Sequence, residues 1–150
     1  MHAPALVRTP IAALSGDVVL DTNVWLDWLI FDDPSSAPIR AAVEQGRSRV
    51  LATRHTRAEL ADVLSWRKFG ARGVDIPGCL ARFDRWAVVH DEPPACPLRS
   101  RDPDDQVFID LAVHHRAGVL LSRDKVLLAL ARRAERDFGV RIRVPEAVTG

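Results

Sequence analysis

The sequence predicts an α/β protein, a three-layer α/β/α sandwich around a mainly parallel central sheet. Short apolar runs such as Val18-Val19-Leu20 and Val119-Leu120-Leu121 are continuous rather than alternating, as in strands covered on both faces. Stretches of helical period separate the runs. The resulting alternation of strand and helix is the order of parallel crossovers.

Taken in order, residues 17–21 form the first predicted strand, and residues 23–31 a helix with Trp25, Trp28 and Leu29 on one stripe. Pro34-Ser35-Ser36 punctuates the chain, and residues 37–45 make a second helix stopped by Gly46. Residues 49–52 are a short strand. Residues 56–69 are a helix with Leu60, Val63 and Leu64 inward and Gly70 as its stop. Residues 73–85 are helical after Pro77, and 86–90 form a strand. The proline- and charge-rich stretch 91–103 reads as a surface loop. A helix over 104–116, a strand over 119–122, a helix over 125–138 and a strand over 141–144 complete the pattern. No internal repeat or domain boundary interrupts it. A single domain over 1–150 is expected, with 1–16 as a flexible N-terminal extension.

Composition is that of an ordinary soluble globular protein, 47% hydrophobic and 27% charged. A net charge of +1 gives no global attraction to nucleic acid. The positive charge is almost all arginine, with Lys68 and Lys125 the only lysines. Arginine suits bidentate phosphate contacts, but base composition of a genome produces the same bias. Cys79 and Cys96 have no metal or disulfide spacing and read as thiols in a reducing cytoplasm. Arg8 and Pro10 break the apolar start, so no signal peptide is expected, and no run is long enough to span a bilayer. A cytoplasmic location follows.

The chemistry lies in the carboxylates. Asp21 ends the first strand, Asp124 follows the strand at 119–122, and Asp105 opens the helix between them. Ligands of open α/β sheets bind at the carboxyl ends of strands, so Asp21 and Asp124 are placed to reach one crevice. Clustered carboxylates need a cation or protons to neutralise them. Short oxygen ligands suit Mg²⁺ or Mn²⁺ better than zinc. The pattern reads as that of a metal-dependent phosphate-ester enzyme.

Four segments then carry a resemblance. Val18-Val19-Leu20-Asp21-Thr22-Asn23-Val24 resembles the first motif of PIN-domain proteins. Ala58-Glu59-Leu60-Ala61-Asp62-Val63-Leu64, running on to Arg67-Lys68-Phe69, resembles the second, the run from Asp102-Pro103-Asp104-Asp105-Gln106 to Ala112 the third, and Leu120-Leu121-Ser122-Arg123-Asp124 the fourth. The branch it resembles best is that of PIN-type toxin components of toxin–antitoxin systems. That branch usually reads Asp-Asn where this chain has Asp105-Gln106; glutamine keeps the amide.

The resemblance implies that Asp21, Glu59, Asp105 and Asp124 bind one or two Mg²⁺ or Mn²⁺ ions. It implies activated water attacking an RNA phosphodiester to leave 5′-phosphate and 3′-hydroxyl ends, a small antitoxin partner, and a homodimer. Such a metal pair lowers the pKa of the water and clamps attacking and leaving oxygens. Asp21, on a strand end, is the expected central ligand, with Glu59 reaching in directly or through water. Asn23 is expected to order the first loop, Ser122 to orient a carboxylate or phosphate, and Asp110 to lie at the periphery.

Plainer readings stand beside these. Thr56 with Glu59 spells a capping box, Asp102 a cap before Pro103, and Asp124 a cap of the next helix. Asp21 has no such alternative. Asp62 shares a helix face with Glu59 and is a spare ligand. Arg54, Arg57, Arg67, Lys68, Arg99, Arg101 and Arg123 flank the acids and either hold an RNA backbone or are simply solvated. The Trp25–Trp28 stripe is either core or an exposed protein-binding patch. His55, His114 and His115 lack a metal spacing. A phosphatase of the kind that starts from a first-strand aspartate needs a second aspartate two residues on, where this chain has Asn23. The serious alternative is a catalytically weak PIN-fold RNA- or protein-binding module; the complete acidic quartet argues against it, because a pure RNA binder gains by losing negative charge.

Overall fold

A computed structural model describes residues 3–150. After helix α1 (Ala3–Val7) and strand β1 (Ile11–Ala12) the chain enters a sheet built from β2 (Gly16–Leu20), β3 (Ser48–Thr53), β4 (Ala87–His90), β5 (Val119–Leu121) and β6 (Arg141–Arg143). The five lie in the order β4-β3-β2-β5-β6 and every pairing is parallel. The mainly parallel sheet expected from the continuous apolar runs is therefore present.

Side-chain alternation along the strands makes the layers. Val18, Leu20, Val50, Ala52, Val119 and Leu121 join one core with Trp25, Trp28, Ile39, Leu60, Leu64 and Phe83. These come from α2 (Thr22–Leu29), α3 (Ala37–Glu44), α4 (Arg54–Leu64) and α6 (Ile76–Trp86). Val19, Leu51, Leu120 and Ile142 face the other way, toward Val7, Ile109, Leu111, Ala131 and Ala134. Those belong to α1, α7 (Gln106–His114) and α9 (Ala131–Phe138). Trp28 is 2% exposed and stacks between Trp25 and Trp86, with ring centroids 5.3 Å and 4.4 Å away. The tryptophan stripe is thus core, not a surface patch.

Several boundaries depart from expectation. The helix expected over 56–69 is two: α4 ends at Leu64 and α5 (Arg67–Ala71) begins after Trp66, with Gly70 inside it. Ser65 Oγ donates to the Asp62 carbonyl at 2.6 Å, competing with the helical ladder, and Trp66 turns extended. The helix expected over 125–138 also divides, into α8 (Lys125–Leu128) and α9, where Leu130 N–H shifts to the Leu127 carbonyl in a tighter turn. The start of the chain is not loose where it is described. Val7, Ile11 and Leu14 are buried, and β1 pairs with β7 (Val148–Thr149). Met1 and His2, also assigned to that extension, lie outside the described residues. Among the described residues no helix is long and apolar enough to cross a membrane.

Candidate metal centre

Strand order places the site. The chain starts at the sheet's centre with β2, moves outward through β3 and β4, then crosses to β5 and β6 on the other side. The order reverses between β2 and β5, where a crevice opens at the carboxyl ends of the strands. Asp21 follows β2 and Ser122 follows β5, with Asp21 N–H bonded to the Leu121 carbonyl at 3.1 Å.

Asp21 is 4% exposed and does more than end a strand. Its Oδ1 accepts the Val24 N–H at 3.0 Å, so it caps α2, a role the sequence reading did not give it. Its Oδ2 accepts from the Ser122 hydroxyl. Ser122 Oγ in turn accepts the Asp124 N–H at 2.9 Å. Burial, opposed by those two hydrogen bonds and helped by the charges of Asp124 and Asp27, pushes the Asp21 carboxyl up to about 6. Asp124 caps α8 through Oδ1, accepting from Val126 N–H at 2.7 Å, as its sequence position foretold.

Asp105 closes a 3₁₀ turn (Pro103–Asp105) that Asp102 caps by accepting the Asp104 N–H at 3.0 Å. Asp105 caps nothing. Its Oδ2 is sealed from solvent and has no hydrogen-bond partner among the described residues. Burial, then the charges of Asp124, Asp102, Asp21 and Asp104, push its carboxyl up to about 7. Oxygens of Asp102, Asp105 and Asp124 all lie within 4.8 Å of one another. Three carboxylates at ligand spacing, one carrying an orphaned oxygen, form a donor set fitted to a hard divalent ion.

The trio differs from the expected quartet. Asp102 joins it, although its sequence read only as a cap; the Asp-Pro-Asp-Asp run was the available signal. Asp21 adjoins it through Ser122, with both its oxygens already hydrogen-bonded. Glu59 stands apart, pairing with His55 Nε2 at 3.0 Å and lining a neighbouring cavity with Asn23 and Asp104. The capping box is not Thr56 with Glu59: Thr53 caps α4 and Thr56 answers it, which leaves Glu59 in mid-helix. Asn23 is exposed and its side chain makes no hydrogen bond among the described residues, so Asp21 orders the loop expected of it. Asp110 is buried on the far side of the helix start, where Oδ1 accepts from Cys96 N–H at 3.0 Å and Gln106 Nε2 at 2.8 Å.

The arginines divide as well. Arg57 forms a bidentate pair with Asp84 at 2.7 and 2.8 Å. Arg123 reaches Asp27 Oδ2 at 2.9 Å, Ser35 Oγ at 3.0 Å and Glu146. Both are engaged within the protein rather than held out for a ligand. Arg54 and Arg101 are exposed and form no ion pair among the described residues.

Residues 17–126 match the family model described as PIN domain. No curated protein matches the chain. Among solved structures it is similar to a chain in the crystal structure of VapBC2 from Rickettsia felis bound to a DNA fragment from their promoter. That similarity has a TM-score of 0.58 at 14% identity and covers 85% of this chain and 98% of the other.

Proposed function

The chain belongs to the PIN domain family, and from that premise we propose that it is a divalent-metal-dependent endoribonuclease, the toxin of a cytoplasmic toxin–antitoxin pair. One observation carries the reading: Asp102, Asp105 and Asp124 converge at the topological switch point with an unpartnered oxygen on Asp105. The likeness to a VapBC2 chain supports the second half, a protein partner of the antitoxin kind; a homodimer remains part of the proposal.

Asp105 and Asp124 would hold the Mg²⁺ or Mn²⁺ directly, with Asp102 or Asp21 completing the set and Glu59 reaching in from the adjacent wall. Bound ions supply a water of lowered pKa and a positive field for an in-line phosphodiester displacement. The chain's own part is positional. Asp21 and Ser122 fix the first and fourth motifs to each other, and the Asp102–Asp105 turn brings in the third. Burial and the neighbouring acids favour a protonated Asp105 carboxyl, and a bound cation would favour its ionised form. Arg54 and Arg101 remain as candidate contacts to the RNA backbone; Arg57 and Arg123 serve the fold.

The test is end-labelled single-stranded RNA incubated with wild type, Asp21→Asn and Asp105→Asn, each with Mn²⁺ or with chelator. Cleavage by wild type with Mn²⁺ alone is the expected result. Equal cleavage by all would mean a contaminant. No cleavage of any RNA by wild type would return the protein to a binding module.

A further inference from the structure

Beside the carboxylates lies a cavity of about 340 Å³ lined by Thr22, Asn23, Glu59, Asp62, Trp66 and Asp104, with Lys68 and Phe69 at its edge. Its wall is made by the chain neighbours of the acids themselves: Thr22 and Asn23 follow Asp21, and Asp104 precedes Asp105. Trp25, Trp28 and Trp86 are stacked into the core, but Trp66 is 49% exposed and stacks on no other ring among the described residues. It sits at the break between α4 and α5, held out by its extended backbone. Lys68 Nζ lies 5.6 Å from the Trp66 ring centroid.

We propose that this cavity receives one unpaired nucleobase of single-stranded RNA, stacked on Trp66, next to the phosphate presented to the carboxylates. The inference rests on the ribonuclease reading and deepens it. A flat apolar face with oxygen acceptors around it matches a base, which offers a π-face and N–H groups at its edge. Asn23, whose exposed side chain has no hydrogen-bond partner among the described residues, and Asp62 supply those acceptors, and Lys68 supplies the charge for the adjoining phosphate. An apolar protein segment would instead meet three carboxylates, Glu59, Asp62 and Asp104.

The experiment uses the Asp105→Asn protein, which leaves RNA uncut, and fluorescein-labelled single-stranded RNA followed by anisotropy. Trp66→Ala in that background should weaken binding about tenfold, and Trp66→Phe, which keeps a stacking face, by no more than about twofold. RNA should quench tryptophan fluorescence in the parent and far less in Trp66→Phe, because Trp25 and Trp28 are buried and Trp86 is partly buried against the core. RNA carrying abasic nucleotides should bind the parent about tenfold more weakly than intact RNA, a comparison that does not depend on Trp66→Ala folding. Undiminished RNA binding by Trp66→Ala overturns the stacking site and leaves the nuclease reading intact. The same undiminished binding with a dimer turned monomer would make the cavity a protein contact instead. A parent that binds no single-stranded RNA overturns the ribonuclease reading and the stacking site with it.

Discussion

The carboxylate of Asp21 and the backbone of Asp124 meet on a single hydroxyl. Ser122 Oγ donates to Asp21 Oδ2 and accepts the Asp124 N–H at 2.9 Å, and Ser122 itself is fully buried. One atom thus fixes two acids that lie 103 residues apart in the chain. Ser122→Ala removes it without changing volume much. Cleavage should fall about ten- to a hundredfold, as when an outer partner of a metal ligand is lost, while circular dichroism stays native. Unchanged cleavage would mean the acids hold their places without it.

Proton binding makes stability pH-dependent. Folded, Asp21 holds its proton to about 6 and Asp105 to about 7, against an ordinary 3.8 for each. Between those values the folded state binds more protons than the unfolded one. Their contribution to stability is full below about pH 4 and lost as pH rises through about 7. Without metal, the melting temperature of wild type relative to Asp105→Asn should therefore decline from pH 4 to pH 8. A pH-independent difference would contradict the crowding of these carboxylates.

Metal should reverse that trend. If the acids bind a divalent ion they do so deprotonated, so millimolar Mn²⁺ should raise the wild-type melting temperature more at pH 8 than at pH 5, and Asp105→Asn much less at either. Differential scanning fluorimetry reads all four conditions. No shift at pH 8 would count against a metal centre.

Arg123 sits between Ser122 and Asp124 and ties their loop to Asp27 of α2 and to Ser35 and Glu146. Arg123→Ala leaves Asp27 without its cation and should cost about 2 kcal/mol, the scale of a charged hydrogen bond, read by urea unfolding. Cleavage should fall with the loosening of the loop. RNA affinity should hold in the cleavage-dead background, because Arg123 is already spent on the protein's own carboxylates.

Trp28 carries the core on the α2 side. Trp28→Ala should lose about 3–5 kcal/mol, enough to leave a domain of this size largely unfolded. A near-native melting curve would show that Trp25 and Trp86 close the gap.

The sequence by itself determined the parallel sheet and where its ligand edge falls. Short unbroken apolar runs such as Val18-Val19-Leu20, alternating with stretches of helical period, read as strands covered twice, and acids at their carboxyl ends mark the crevice. Asp21 and Asp124 read as neighbours of that crevice from their places after two strands, and Asp105 from its place at a helix start. The approach of Asp102 to Asp105 and Asp124 was not legible, because a capping aspartate looks the same in sequence until its turn is folded against Asp124. The start of the helix that carries Glu59 was not legible either: Thr56 seemed to open it, but Thr53, at the end of β3, does, and strand ends are set by pairing across the sheet. Tertiary structure alone also decided which arginines are free, since Arg57 and Asp84 meet from different helices. It seated the N-terminal segment too, because β1 pairs with Val148 and Thr149 at the far end of the chain. These are contacts of long sequence separation, and nothing in the local pattern encodes which distant partner a side chain will meet.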